Sequence, residues 1–199
     1  MQKLRFAYYL IADAPDFRAL RDGTCDPFPE HVTIRGRFLA NRSALADLVV
    51  AGREAFRMLA PFTVEFIGPR VVDDRLAWYE PSDDSRAAPA LRAVHRHLDR
   101  DLAKRGVIAF DEVPESHRGE SYTPHMTVAF RALSAVRLRA MPRSMPVAFN
   151  EWGLFVYDDE WQPRPRLRCA FGEHLYSTQQ ARSQQAPSLT ADANALGSR

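Results

Sequence analysis

FPEHVTIRG, residues 28–36, and YTPHMTVAFR, residues 122–131, are two copies of one short pattern. In each copy an aromatic residue, Phe28 or Tyr122, stands three positions before a histidine, and a proline lies between them. The core of both copies is His, apolar, Thr, apolar. With six His, seven Thr and 46% apolar residues, two such matches arise by chance in about one shuffled chain per thousand. The repetition therefore exceeds what chance produces and points to one shared chemistry at the two places.

The first copy predicts a strand with one polar and one buried face. Alternate side chains of a strand point to the same side of the sheet. His31, Thr33 and Arg35 are therefore expected on one face. Val32 and Ile34 are expected to pack into the core.

The second copy predicts the same arrangement on a second strand. His125 and Thr127 share a face, with Arg131 further along it, while Met126 and Val128 turn toward the core. Each strand therefore presents an imidazole beside a hydroxyl.

Two imidazoles and two hydroxyls facing one another suit a phosphodiester. A Thr hydroxyl can donate a hydrogen bond to a non-bridging phosphoryl oxygen, and His has an unperturbed pKa of about 6.5. One histidine can then act as general base while the other acts as general acid. This chemistry requires neither a metal nor a cofactor, and we expect none.

At these residues the sequence resembles the 2H phosphoesterases, also called the 2'-5' RNA ligase or cyclic phosphodiesterase family. The signature of that family is a pair of His-x-Thr/Ser-x motifs, present here as HVTI and HMTV with their histidines 94 residues apart. The resemblance covers roughly residues 2–172. It implies a bilobal, duplicated α+β fold in which two antiparallel sheets line a central cleft and helices lie outside.

The resemblance also implies a function and a set of catalytic residues. It predicts a metal-independent phosphodiesterase that hydrolyses 2',3'-cyclic phosphates of nucleotides or RNA ends, with a catalytic set formed by His31, Thr33, His125 and Thr127. The same fold can instead serve 2'-5' RNA ligation, a cyclic dinucleotide or an ADP-ribose cyclic phosphate. A module that binds RNA ends without catalysis is a further alternative, although a binder needs no matched pair of proton-transfer groups.

Arginines and aromatic residues near the motifs are candidates for binding the substrate. Arg35 and Arg131 have the planar, permanently charged group that suits phosphate, although each can equally pair with a carboxylate. Aromatic rings can stack on a base or simply fill the core. The candidates for stacking are Phe28, Tyr122, Trp152 and Trp161.

Composition is typical of a soluble globular domain. The chain has 199 residues, of which 26% are charged, and a net charge of +2, which does not by itself indicate a nucleic-acid binder. Two cysteines are too few for a disulfide framework. We expect one two-lobed domain over residues 1–175 and a disordered tail over 176–199, which is rich in Ser, Gln and Ala.

The apolar run KLRFAYYLIA, residues 3–12, is too short to cross a bilayer and has no small-residue cleavage site. We therefore expect a buried strand in a cytoplasmic monomer with no membrane partner. Apolar spacing predicts an amphipathic helix over 42–59 and another over 86–105. Further strands are expected at 61–68 and 75–81, forming a hairpin, and at 107–110, 147–157 and 166–171.

His95 and His97 belong to the second predicted helix. Residues two apart on a helix diverge by about 200°, so this pair does not suit a shared metal. His95 is expected to border the packed face and His97 to be solvated.

Overall fold

The computed structural model describes residues 2–20, 30–72, 76–114, 118–129, 133–157 and 163–171. These residues form a mixed fold dominated by an antiparallel sheet, as the α+β prediction requires. The strands are β1 Lys3–Asp13, β2 His31–Asn41, β3 Phe62–Val72, β4 Leu76–Pro81, β5 Ile108–Asp111, β6 Met126–Ala129, β7 Ser144–Tyr157 and β8 Pro163–Ala170. The helices are α1 Pro15–Leu20, α2 Leu45–Phe56, α3 Ala87–Arg105 and α4 Ala135–Ala140, with 3-10 turns at Arg42–Ala44 and Gly119–Ser121.

The eight strands form one connected sheet. Its order is β5-β2-β1-β7-β3-β4-β6, and β8 also pairs with β7. The 14-residue β7 joins the halves, because its first residues pair with β3 and its later residues pair with β1 and β8. The expected layout of two separate sheets is therefore not confirmed in the described strands.

Strand β1 lies near the middle of the sheet and is buried on both faces. Phe6, Tyr8 and Leu10 belong to the main core. Tyr9 and Ile11 point the other way and belong to a smaller cluster with residues of β7. This double burial explains the unbroken apolar run near the amino terminus.

Helix α3 packs on the main core through the residues that predicted it. Leu91, Val94, Leu98 and Leu102 recur at helical spacing and all are buried. The helix ends at Gly106, whose φ of 62° is in the left-handed region that glycine adopts without steric cost. The predicted helix is confirmed, and its start differs by one residue.

The two short helices α1 and α4 were not predicted. Each has six residues, too few to show a helical apolar period. In the described part of the chain, no helix is long and apolar enough to cross a membrane. The predicted tail over 176–199 lies outside the described residues.

Candidate active site

The first motif forms the start of β2 with the predicted alternation. Val32 and Ile34 are fully buried. Thr33 is paired across the strands with Tyr9. The His31 ring packs against the Tyr9 ring, with 4.3 Å between ring centroids. Tyr9 therefore neighbours both polar residues of this motif, Thr33 by strand pairing and His31 by ring contact.

The alternation changes immediately after the motif because β2 contains a β-bulge. Tyr9 pairs with Thr33, but the preceding residue Tyr8 pairs with Arg35, so Ile34 is an extra residue in the ladder. Tyr8 and Tyr9 face opposite sides of the sheet. Arg35 therefore points to the opposite face from Thr33. The prediction that Arg35 shares the face of the motif histidine is wrong.

Arg35 instead forms a buried ion-pair network. It is 1% exposed, its Nε donates to Asp99 Oδ1 at 2.8 Å, and its guanidinium also binds the Asp111 carboxylate. Arg118 donates to the same carboxylate at 2.9 Å. Burial alone would raise the pKa of Asp111. The hydrogen bond and charge of Arg35, followed by the Val113 N–H and the charge of Arg118, bring that pKa below its usual value. Arg35 therefore links β2 to α3 and β5.

The second motif lies at the start of β6. Met126 and Val128 are fully buried, as predicted. Thr127 is paired with Trp78 of β4. His125 immediately precedes the strand. Thr127 and His125 are both partly exposed, on the side opposite the two apolar residues.

Trp78 and a backbone carbonyl orient the His125 ring. The two rings stack with 4.4 Å between centroids and an interplanar angle of 28°. Trp78 Nε1 in turn donates to Glu80 Oε1 at 2.8 Å. His125 Nδ1 lies 2.9 Å from the Thr123 carbonyl oxygen, which can only accept, so Nδ1 carries the proton. In the neutral ring, Nε2 therefore holds the basic lone pair.

Both motifs line one cavity of about 380 Å³. The sheet order separates β2 from β6 by four strands, so the sheet must curl to bring them to the same cavity. The motif side chains that meet there are His31, Thr33, His125 and Thr127.

The negative charges in the cavity wall are balanced. Glu30, which is 2% exposed, accepts from Arg18 at 2.9 Å. Glu112 accepts from Arg5 Nε at 2.6 Å. With both carboxylates engaged by arginines, the wall does not oppose the entry of a phosphate.

The arginine in the exposed part of this wall is Arg37. A second irregularity in β2, between the Tyr8–Arg35 and Phe6–Phe38 pairs, turns Arg37 to the face opposite Arg35. Its Cζ lies 5.9 Å from the Tyr157 ring centroid. Gly36 lets Val113 approach β2 closely, since a Cβ at Gly36 would lie 2.4 Å from Val113 Cγ2. Arg35 and Arg37 both line the cavity, but Arg35 is buried and held by Asp99 and Asp111, whereas Arg37 is exposed.

Tyr122 joins the two motifs through its hydroxyl, which donates to the Thr33 carbonyl oxygen at 2.7 Å. Its ring is 6% exposed and stacks on His95, with centroids 4.1 Å apart. Trp152 is fully buried and stacks on Phe56. Trp152 therefore fills the core, the second of the two roles considered for these rings. Tyr122 is mostly buried but lines the cavity, and its role in binding substrate stays a prediction.

His95 holds the same region from the helix side. Its Nδ1 donates to the Ile34 carbonyl oxygen at 2.6 Å, and its Nε2 accepts from the Gly119 N–H at 3.1 Å. Burial lowers the pKa of His95, which suits a neutral ring that donates at one nitrogen and accepts at the other. As predicted, His95 is packed, whereas His97 is exposed.

The model of one protein family, the 2'-5' RNA ligase superfamily, matches residues 3–161. The chain belongs to the 2'-5' RNA ligase superfamily. The resemblance of the two motifs to the 2H phosphoesterases is thereby confirmed. Membership supports an activity of the phosphodiesterase or RNA-ligase type.

Solved structures of this superfamily have a similar fold. Escherichia coli LigT complexed with 3'-AMP is 17% identical, with a TM-score of 0.57, over 86% of this chain and 99% of LigT. LigT complexed with NADP+ gives the same values. A structure described as a phosphoesterase is 17% identical with a TM-score of 0.57, over 85% of this chain and 99% of its own. No curated protein sequence matches the chain.

Three predicted binding residues of this superfamily member, Phe28, Arg131 and Trp161, lie outside the described residues. Their roles in binding substrate stay predictions. In the ranges that the structure describes, no group of three or more His, Cys, Asp or Glu side chains is arranged to hold a metal ion.

Sequence reasoning missed two neighbours of the motifs in this superfamily member. Trp78 lies between buried Ala77 and Tyr79 in β4. The alternation predicts that Trp78 points away from the core, but its contact with the motif depends on the pairing of β4 with β6. Arg37 carried no such signal, because the second irregularity in β2 leaves no mark in the apolar pattern.

Proposed function

We propose that this chain is a metal-independent phosphodiesterase that hydrolyses 2',3'-cyclic phosphates of nucleotides or RNA ends by acid–base catalysis with two histidines. The observation that carries the proposal is the single cavity lined by His31 and Thr33 from β2 and by His125 and Thr127 from β6. Two proton-transfer groups on opposite strands can reach opposite sides of one phosphorus.

The reaction needs one proton donor and one proton acceptor. A neutral histidine takes a proton from water as the water oxygen forms a bond to phosphorus. The protonated histidine gives its proton to the ribose oxygen as the bond from that oxygen to phosphorus breaks. The product is a phosphate monoester and a free ribose hydroxyl, and the proton count is unchanged. Which of His31 and His125 is the base depends on how the substrate lies in the cavity.

The two threonines bind the non-bridging oxygens. Thr33 and Thr127 stand beside the histidines, and their hydroxyls can donate to phosphoryl oxygens as charge develops. Arg37 adds a positive charge in the same wall. His125 is suited to proton transfer at Nε2, because its Nδ1 proton is already held by the Thr123 carbonyl.

The substrate in this proposal is a nucleotide or an RNA terminus, and the reaction takes place in the cytoplasm. The complexes of LigT with 3'-AMP and NADP+ are in keeping with a nucleotide ligand for this fold. An enzyme that joins a 2'-5' junction would open the same cyclic phosphate with the same side chains, but the attacking group would be an RNA 5'-hydroxyl in place of water. It would consume a 2',3'-cyclic phosphate only when a 5'-hydroxyl RNA end is also supplied.

The deciding experiment measures hydrolysis of 2',3'-cyclic nucleotide monophosphates in EDTA, with the products resolved as 2'- or 3'-phosphates. Wild type is compared with His31→Ala, His125→Ala and the double variant. We expect each single variant to lose about a hundredfold or more of kcat. The double variant should lose little more, because the two groups act as a unit.

His97→Ala is the matched control, since this histidine is exposed on α3 and does not line the cavity. It should retain wild-type turnover. A wild-type protein that is folded but does not turn over any cyclic mononucleotide or cyclic RNA end contradicts the proposal, and so does retention of activity in either single variant.

A further inference from the structure

A second recess lies beside the catalytic cavity, between α3 and the segment that leads into the second motif. It has a volume of about 420 Å³ and shares two lining residues, Tyr122 and Thr123, with the catalytic cavity. The two spaces therefore lie on either side of one short piece of backbone. A ligand long enough to pass over Tyr122 and Thr123 would span both spaces.

Two arginines from one helix are part of the wall of this recess. Arg92 and Arg96 are four residues apart on α3, so they are neighbours on one face of the helix. Arg96 donates to Glu120 at 3.0 Å, but that carboxylate is 84% exposed. An exposed pair of this kind contributes little and exchanges readily with another anion.

Arg92 is the more informative of the pair. It is partly buried in the recess wall, and within the described ranges it has no carboxylate or other hydrogen-bond acceptor as partner. A guanidinium carries five N–H donors that suit a phosphate. Ser121 and Thr123 place two hydroxyl-bearing residues along the same recess. The recess thus has the charge and the donors of a phosphate site.

We propose that this recess binds a second phosphate of the substrate, the phosphodiester of the nucleotide next to the one being cleaved. This inference rests on the proposed function. It predicts that the enzyme prefers the ends of RNA chains to free cyclic mononucleotides. The net charge of the chain is only +2. In this proposal Arg92 and Arg96 supply the positive charge that binds RNA, so no overall excess of basic residues is needed.

The test compares two substrates with the same terminal base, a cyclic mononucleotide and a five-nucleotide RNA that ends in a 2',3'-cyclic phosphate. The quantity measured is the ratio of kcat/KM for the RNA to kcat/KM for the mononucleotide. Wild type should show a ratio well above one, and Arg92→Gln should lower it about tenfold. For the RNA substrate, log(kcat/KM) is plotted against the logarithm of the salt concentration. The slope for wild type should be steeper than the slope for Arg92→Gln by about 0.7.

Arg100→Gln is the control, because Arg100 is exposed on the same helix and lies outside the recess. It should leave the substrate ratio at the wild-type value. A wild-type ratio near one, or a ratio that Arg92→Gln does not change, overturns the second-phosphate site while leaving the hydrolytic function intact.

A binding measurement decides the site even if neither substrate is hydrolysed. The His125→Ala protein, with or without Arg92→Gln, is titrated with a five-nucleotide RNA that ends in a 3'-phosphate, and binding is followed by fluorescence anisotropy. The arginine substitution should weaken binding about tenfold. Equal binding by the two proteins, or no binding by either, overturns the site. Loss of turnover alone counts only against the proposed function.

Discussion

The hydroxyl of Tyr122 donates a hydrogen bond to the carbonyl oxygen of Thr33 across 2.7 Å. Thr33 belongs to the first motif, and Tyr122 stands three residues before the histidine of the second. This bond therefore connects the backbone of one motif to the segment that carries the other. A single side chain thus connects the position of one motif threonine to the segment that leads to the opposite histidine.

Tyr122→Phe should lower kcat by more than its loss of folding stability explains. Loss of the hydroxyl leaves the Thr33 carbonyl without this donor, at a cost of about 1–3 kcal/mol in the free energy of unfolding. We expect kcat for cyclic phosphate hydrolysis to fall about tenfold or more because misplacement of catalytic groups is costly. Urea denaturation and steady-state kinetics on the same preparation provide both values.

The control is Tyr79→Phe. Tyr79 is buried and its hydroxyl also donates to a carbonyl, that of Pro142, at 2.7 Å, but it does not line the cavity. It should show a similar loss of stability with kcat unchanged. If the two variants lose kcat to the same extent, the hydroxyl of Tyr122 has no special part in positioning the motifs.

Arg35 and Arg37 should respond in opposite ways to the same substitution. Arg35→Met leaves the carboxylates of Asp99 and Asp111 without their buried partner, and we expect a loss of about 3–5 kcal/mol in the free energy of unfolding. Arg37→Met alters an exposed residue of the cavity wall, so stability should change by less than about 0.5 kcal/mol. Its KM should rise.

Denaturation curves and KM values for the two variants check this pair of outcomes. If the Arg35→Met protein is as stable as wild type and has a raised KM, then Arg35 contacts the substrate, and its assignment to a purely structural ion-pair network is wrong.

His95 makes stability depend on pH. Its pKa is lowered in the folded protein, because burial and the nearby charges of Arg35 and Arg96 outweigh the hydrogen bond to the Ile34 carbonyl and the charge of Asp99. The unfolded chain therefore takes up the proton at higher pH than the folded chain does. The free energy of unfolding should fall as the pH drops below the unfolded value of about 6.5.

His95→Gln removes this titration, so the difference in unfolding free energy between about pH 7.5 and about pH 5 should shrink. The variant will also be less stable at both values, because it lacks the fitted imidazole. His97→Gln, which alters an exposed histidine of the same helix, should keep the wild-type difference. A His95→Gln protein with an unchanged pH dependence would show that His95 is not the group responsible.

The rate of hydrolysis should pass through a maximum with pH and survive EDTA. A neutral base and a protonated acid are needed together, so kcat/KM falls when the first is protonated and when the second is deprotonated. Initial rates across the pH range, with and without chelator, test both features. A monotonic profile, or inactivation by EDTA that added metal reverses, would refute the mechanism.

The sequence predicted what depends on local alternation and missed what depends on pairing between strands. Val32 and Met126 are buried and the motif threonines are partly exposed because each motif is a short stretch of regular strand. The extra residue Ile34 follows from the register with β1, and no local pattern records it.

The meeting of the two motifs is likewise a property of the whole sheet. Thr33 and Thr127 reach one cavity because β7 joins the halves and the sheet curls between β2 and β6. The duplicated pattern indicated that two strands should face each other. It contained no information about Trp78, which reaches His125 through the pairing of β4 with β6.

The stacking of Trp78 on His125 also makes the site visible to spectroscopy. Indole fluoresces, and a protonated imidazole in contact with it quenches the emission by accepting an electron from the excited ring. With 4.4 Å between the two ring centroids, we expect the fluorescence of Trp78 to fall when the imidazole of His125 gains a proton. The fluorescence of Trp78 would then report, without a label, whether His125 holds a proton. The emission of Trp152 and Trp161 forms the background to this signal.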